Sequence, residues 1–291
     1  MSAETFKSPE KIQNLDSLMA QIAQAENAKF GPVLNPDCSL NLDSFAGMSG
    51  YNVEADKKEI EAKEVEWSGA NTTNENRLAY FSDLGLNTPE ARLAYWKDKK
   101  EASENEKLEK AVVVLFHKVL RSEFLVVRAS RHDDYENGID TLIVDSKTQK
   151  VIGAFDEVKG EENFKRNRDK KEKVLKYAKE GGARIKYGIN LEKDPQGNGQ
   201  KLVKKEIRNL PLFMVSLTKE ELKALLGGMN YEAESKISSV ELKVFDQLTA
   251  SFEEQIKMLE IEKRNIPAAV FANTLTFKES LERMKKLGSR I

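Results

Sequence analysis

Two short segments decide the fold: residues 138–144, which read GIDTLIV, and residues 155–160, which read FDEVKG. The first is apolar and β-branched, and the second closes an apolar run that begins at Val151, so each predicts a strand. The polar residues 145–150 between them are typical of a hairpin turn. The two strands then pair antiparallel, with Asp140 roughly opposite Phe155.

Three charged side chains stand at the open end of this hairpin. Alternation along a strand places Glu157 and Lys159 on one face, with Glu157 diagonal to Asp140 and about 7–8 Å away between backbones. Two carboxylates at that separation can converge on one ion, and Mg²⁺ prefers hard oxygen ligands. With an ammonium beside them, the three residues predict a Mg²⁺- or Mn²⁺-dependent site for phosphodiester chemistry.

The order Asp, hairpin, Glu-x-Lys resembles the core of the PD-(D/E)XK nuclease superfamily. The resemblance implies that Asp140 and Glu157 bind the metal and that Lys159 positions or activates the attacking water. It covers roughly residues 104–217, and Ile139 stands where the superfamily's title pattern has a Pro. The predicted elements follow the same order: a helix over about 105–120, a strand over 124–130, the hairpin, a basic helix over 163–179, and strands over 185–191 and 211–217.

The resemblance also implies a Glu near the metal on the first helix of the core. Glu109 lies beside the apolar stripe of that helix and is the best match, with Glu106 second. An ordinary surface acid is the alternative for Glu109. We further expect residues 131–138 to form a loop over the site, where Asp133 or Asp134 could add a metal contact and His132 could bind a phosphate or a water. A solvated loop closed by the Asn137-Gly138 turn is the alternative.

The helix after Glu-x-Lys is strongly basic, and its relatives in the superfamily contact the nucleic-acid backbone. The resemblance therefore implies that Lys165, Arg166 and Arg168 bind nucleic acid, DNA rather than RNA. The alternative is a solvated charged face. Since 47 Lys and Arg residues are balanced by 48 Asp and Glu, for a formal charge of −1, any such affinity must come from local basic patches.

Composition excludes several classes of protein. The single Cys38 rules out an internal disulfide framework and a Cys-based zinc site, and fits a reducing compartment. No apolar run approaches the length of a membrane span, and residues 1–5 do not read as a signal peptide. No ATP-binding Gly-x-x-x-x-Gly-Lys segment is present, so the sequence predicts no motor. We expect a cytoplasmic protein with no membrane partner.

Residues 1–103 read as a helical, loop-rich N-terminal appendage. A helix over about 9–28, a loop over 30–51 and a charged helix or linker over 54–66 precede an internal repeat, in which residues 75–83 are echoed by residues 90–98. Two short packed helices explain the repeat. The alternative is a surface of Arg77/Tyr80 and Arg92/Tyr95 that grips nucleic acid or a partner protein.

Residues 218–291 read as a C-terminal helical region. Thr218 and Glu221 form a capping box that opens its first helix. A long helix over about 239–264 and a final one over 277–286 follow. The apolar stripe of the long helix predicts packing on the core, with a homodimer seam as the alternative.

The sequence thus predicts an α/β (α+β) fold: a restriction-endonuclease-like mixed sheet flanked by helices, with helical additions at both ends. The function we expect is a metal-dependent nuclease that hydrolyses phosphodiester bonds, in DNA. The alternatives are a catalytically silent nuclease-like module that binds nucleic acid or protein, and an α/β structural component whose hairpin is coincidental.

Overall fold

The predicted hairpin forms the centre of a four-stranded sheet in a computed structural model that describes residues 9–158, 164–193, 199–231 and 236–291. The strands in chain order are β1 (Phe124–Arg128), β2 (Thr141–Asp145), β3 (Lys150–Glu157), β4 (Ala183–Lys193), β5 (Gln200–Leu210) and β6 (Leu212–Val215). The sheet has the spatial order β1-β2-β3-β6. Its first three strands are antiparallel, and β6 runs parallel to β3. Strands β4 and β5 form a separate antiparallel hairpin.

Helices surround this mixed sheet, so the predicted α/β class is confirmed. The α-helices of the described ranges are α1 (Pro9–Phe30), α2 (Val53–Ser68), α3 (Glu75–Asp83), α4 (Pro89–Glu101), α5 (Glu104–Leu120), α6 (Arg131–Asn137), α7 (Phe164–Lys179), α8 (Lys219–Gly228), α9 (Ser239–Ile261) and α10 (Ala268–Gly288). Helices α3 and α4 are the two predicted copies of the repeat. The capping box at Thr218 and Glu221 is present, whereas α10 begins nine residues before the predicted start at 277.

The pairing of β2 with β3 differs by one residue from the predicted register. Thr141, not Asp140, lies opposite Phe155, and the register shifts between Ile143 and Val144. Such an irregularity bends the strand and changes where its ends point. The Asp140 N–H still donates to the Phe155 carbonyl at 2.8 Å, so Asp140 remains tied to β3 just ahead of the ladder.

Five phenylalanines fix β3 against the helices. Phe155 contacts Phe213 of β6, Phe252 of α9 and Phe277 of α10, and Phe252 stacks on Phe116 of α5. All five rings are fully buried, and burial stabilises the fold by about 1.5–3 kcal/mol for each side chain. Because Phe155 is anchored, the end of β3 two residues later has a fixed position beside α5.

The N-terminal region shares this core. Helix α1 packs on α5, and Leu18, Met19 and Phe45 join the same buried cluster as the sheet residues. The backbone of Arg128 exchanges hydrogen bonds with the segment before α2, donating to the Cys38 carbonyl at 3.0 Å and accepting from the Leu40 N–H at 3.1 Å. The predicted appendage therefore contributes directly to the edge of the sheet at β1.

The apolar stripe of α9 packs inside the chain. Phe245, Leu248, Phe252, Ile256 and Leu259 are all buried. The prediction of packing on the core is thus confirmed, and the homodimer seam remains a prediction. Among the described residues, no helix combines the length and apolar character needed to cross a membrane.

Candidate metal centre

Acidic side chains from four places in the fold meet at the end of the hairpin. Glu109 comes from α5, Asp134 from α6, Asp140 from the residue before β2, and Glu157 from the last position of β3. Electrostatic interactions with Glu109, Asp134 and Glu157 all act on Asp140. The structure therefore brings together the predicted ligands Asp140, Glu157 and Glu109.

Asp140 and Glu157 are direct neighbours. The backbone N–H of Glu157 donates to Oδ2 of Asp140 at 2.6 Å. The backbone of Asp140 is held on both sides, since its N–H bonds to Phe155 and its carbonyl accepts from Ala129 at 2.7 Å. Both acids are buried, with Glu157 only 3% exposed. The carboxylate of Asp140 therefore lies against the backbone of Glu157 despite the change in register.

The carboxylate of Glu157 has an unusual environment. Neither of its oxygens accepts a hydrogen bond of good geometry from any described residue, although the side chains of Thr141 and Asp140 lie close enough to oppose the rise in its pKa. Buried carboxylates are costly unless they are paired, hydrogen-bonded or bound to a metal. A divalent cation matches these two oxygens chemically, because it prefers carboxylate oxygen.

Burial and mutual repulsion raise the pKa values of all three acids. Burial, followed by the charge of Glu109, raises the pKa of Glu157 to about 8. Burial also raises the pKa of Glu109 to about 7, against the opposing effect of Arg128. The pKa of Asp140 lies well above its ordinary value because of burial and the charge of Glu157. Repulsion within the cluster therefore favours bound protons or a bound cation.

Arg128 is the main counter-charge of the cluster, and sequence reasoning missed it. Its guanidinium contacts Glu109 at 2.6 Å, Glu106 at 2.7 Å and Asp37 at 3.3 Å. One cation thus faces three acids and leaves a negative excess toward Asp140. The available signal was an Arg that ends the apolar strand FLVVR, because a charge at such a position needs partners.

A small cavity of about 40 Å³ opens onto the cluster. Its lining includes Asp37, Glu109, Arg128, Asp134 and Asp140. A water molecule needs roughly 10–15 Å³ of such space, so an ion with part of its hydration shell fits. Glu157 does not line this cavity but adjoins Asp140, which does.

Residues 131–137 form the short helix α6, so the predicted loop is wrong. Ser130 caps the helix by accepting from the Asp133 N–H, and Gly138 ends it in the left-handed conformation. Asp133 is used structurally, because it accepts from the backbone N–H groups of Lys186 at 2.7 Å and Tyr187 at 3.0 Å. Of the two acids predicted as a further metal contact, Asp133 thus stabilises the fold and Asp134 lines the cavity.

Two groups of predicted basic residues fall outside what the structure describes. Lys159 lies outside the described residues, and the side chains of Lys165, Arg166 and Arg168, on α7, do as well. Further along α7, Lys173 pairs with Asp156 and Lys179 pairs with Glu262 at 2.8 Å. The roles predicted for Lys159, Lys165, Arg166 and Arg168 remain predictions.

The two arginines of the repeat serve the fold. Arg77 donates to the Ser68 carbonyl and Arg92 to the Ala70 carbonyl, both at 3.1 Å. They tie α3 and α4 to the end of α2, as the interpretation of two packed helices requires. Tyr80 remains 53% exposed.

Comparison of the chain with protein-family models, curated proteins and solved structures finds no match.

Proposed function

We propose that this protein is a metal-dependent nuclease that hydrolyses phosphodiester bonds, in DNA rather than RNA. The observation that carries the proposal is Glu157, whose two buried oxygens have no hydrogen-bond partner among the described residues and lie beside Asp140. A structural acid in such a place would be paired. An acid without a partner, surrounded by other acids, is the arrangement that a bound cation stabilises.

Asp140 and Glu157 would hold Mg²⁺ or Mn²⁺, with Glu109 as a third ligand. When bound, such a cation lowers the pKa of a water and stabilises charge on a phosphate. Arg128 orients Glu109 through its contact at 2.6 Å. In the proposed site Lys159, two positions beyond Glu157, orients the nucleophilic water, as the resemblance to the PD-(D/E)XK superfamily implies.

The assignment of nucleic acid as the substrate rests on the basic helix α7, and the preference for DNA rests on the resemblance to the PD-(D/E)XK superfamily. This helix follows β3 in the chain and contacts α9 and β6. In the proposal Lys165, Arg166 and Arg168 bind the phosphate backbone. Such binding weakens steeply with salt because phosphate contacts release counterions.

The test combines cleavage with metal binding. We expect Glu157→Gln and Asp140→Asn to lower Mg²⁺- or Mn²⁺-dependent cleavage of DNA by about a hundredfold or more, and to weaken Mn²⁺ binding measured by electron paramagnetic resonance. Glu220→Gln, at an exposed position of α8, is the matched control and should change neither. Circular dichroism verifies that each variant folds. Unchanged cleavage and Mn²⁺ binding in Glu157→Gln would contradict the proposal.

A silent nuclease-like module is the second candidate, and Arg128 favours it. The guanidinium already neutralises part of the acidic cluster through Glu106 and Glu109, which weakens the attraction for a cation. This candidate predicts binding of single- or double-stranded nucleic acid without cleavage in either Mg²⁺ or Mn²⁺. Cleavage by the wild-type protein that is lost in Glu157→Gln excludes it.

A further inference from the structure

A second cluster of metal-ligating side chains lies between α2 and α6. One ligand atom from each of Asp56, Glu59 and His132 lies within 4.8 Å of the other two. Asp56 and Glu59 are three residues apart on α2, so they share one face of that helix. His132 is the second residue of α6 and places Nε2 3.8 Å from Oδ1 of Asp56.

The imidazole of His132 is fixed by packing, but one of its nitrogens has no hydrogen-bond partner among the described residues. The residue is only 8% exposed, and its Nδ1 has no hydrogen-bond partner within the described ranges. The ring packs edge-on against Tyr187, with centroids 5.5 Å apart. A buried imidazole nitrogen without a partner is uncommon, and imidazole is a frequent metal ligand.

Asp133 provides the support that a metal-bound histidine usually has. Its Oδ1 lies 4.0 Å from Nδ1 of His132, and its carboxylate is fixed by the backbone of Lys186 and Tyr187. Histidine ligands in metal sites commonly direct their second nitrogen toward a carboxylate, which sets the tautomer and the orientation of the ring.

The environment of Asp56 leaves one oxygen facing the histidine. Its Oδ2 accepts from the Tyr187 hydroxyl and pairs with the Lys186 ammonium at 2.5 Å. Its Oδ1 is the atom nearest to His132. The ammonium of Lys186 opposes a cation here, but the carboxylates of Asp56, Glu59 and Asp133 exceed that single charge.

We propose that Asp56, Glu59 and His132 bind a transition-metal cation of the Zn²⁺ class, at a site separate from the Asp140 and Glu157 centre. One nitrogen and two oxygen ligands favour Zn²⁺ or Co²⁺ over Mg²⁺, which prefers oxygen alone. Three protein ligands leave a fourth position for water. The bound ion would tie α2 to α6, the helix that leads directly into Asp140.

The test uses the full chain, freed of metal by a chelator and titrated with Zn²⁺ or Co²⁺ alone. In calorimetric titrations we expect Glu59→Gln and His132→Asn each to lower the metal affinity about tenfold or more. Losing even a group that only supports a ligand typically costs about tenfold or more in affinity. Glu61→Gln, exposed on the same helix, is the matched control. Glu157→Gln should leave the affinity of this site unchanged. The result for this site is then independent of the result for the proposed nuclease centre.

Nuclear magnetic resonance of the imidazoles gives an independent readout. The chain has two histidines, and Zn²⁺ should shift the ring nitrogen signals of His132 while leaving those of His117 unchanged. Because Glu59 is exposed, Glu59→Gln should fold even if His132→Asn does not. Equal Zn²⁺ affinity in wild type and Glu59→Gln, or ring signals of His132 that do not respond to Zn²⁺, would overturn the proposal.

Discussion

Lys118 and Glu241 are buried opposite charges that bind each other, whereas Asp140 and Glu157 are buried acids side by side. The first pair joins α5 to α9, and both side chains are completely buried. Glu241 also accepts from the Ser238 N–H at 2.7 Å, and Lys118 donates to the Asn230 carbonyl at 2.9 Å. At the second pair, no described residue donates a hydrogen bond to either oxygen of Glu157.

The difference separates a structural charge from one that is available for chemistry. Burying charges costs several kcal/mol for each ion, and a well-bonded partner offsets most of that cost. Lys118 and Glu241 meet this condition within the chain. Glu157 does not, so the stabilisation of its carboxylate must come from a proton or from a bound cation. Burial alone would not distinguish the two regions, but their hydrogen-bond partners do.

Breaking the buried ion pair of Lys118 and Glu241 should give the largest effect on stability. Glu241→Gln leaves the Lys118 ammonium buried without its counter-charge, and we expect the free energy of unfolding to fall by about 3–5 kcal/mol. Urea denaturation at pH 6 measures it. Glu157→Gln is the comparison, and because Glu157 is largely protonated at that pH its replacement should change stability by less than about 1 kcal/mol. Equal losses in the two variants would contradict the distinction.

Local patterns in the sequence predicted the elements that local physics determines. The hairpin before Glu157 follows from an apolar run interrupted by turn residues, and the Thr218–Glu221 box follows from capping chemistry. Helix α6 was missed because the polar sequence RHDDYEN has no apolar stripe. The Ser130 cap is a local signal, but the bonds of Asp133 to β4 also stabilise this helix, and no local pattern encodes them.

Contacts between distant parts of the chain explain the remaining gaps. Asp37 reaches Arg128 across 91 positions, and Asp56 reaches His132 only because α2 packs on α6. Strand β5 was not assigned because most of its side chains are partly or fully exposed, and its ladder with β4 holds it in place. The proximity of Asp140 and Glu157 could be predicted because a single turn connects their strands.

The acidic centre should make the metal-free protein less stable as pH rises. The pKa of Glu157 is raised from 4.5 to about 8 in the folded state, so between these values the folded protein binds more protons than the unfolded chain. Stability is therefore highest below about pH 4.5 for this group, falls as pH rises toward 8, and then levels off. We expect a loss on the order of a few kcal/mol, since a pKa difference of one corresponds to about 1.4 kcal/mol.

Urea midpoints from pH 5 to 9 in the presence of a chelator measure this loss. Glu109, with its pKa raised to about 7, acts in the same direction. Glu157→Gln should reduce the fall, and Mg²⁺ or Mn²⁺ should reduce it in the wild type because the cation replaces the protons. The same pH dependence of stability in wild type and Glu157→Gln would show that Glu157 does not cause the loss of stability at high pH.

Breaking an exposed ion pair should give the smallest effect on stability. This case tests whether burial, and not pairing alone, determines how much stability is lost. Lys278 of α10 contacts Glu260 of α9 at 2.6 Å, with side chains 48% and 31% exposed. Water and salt screen such a pair, so Lys278→Ala should change the free energy of unfolding by only about 0.2–1 kcal/mol. Urea denaturation at low and high salt is the measurement, and the small difference should shrink as salt increases. The free energy of unfolding could instead fall as much in Lys278→Ala as in Glu241→Gln. The contact between α9 and α10, not the buried charge of Lys118, would then limit the stability of both variants.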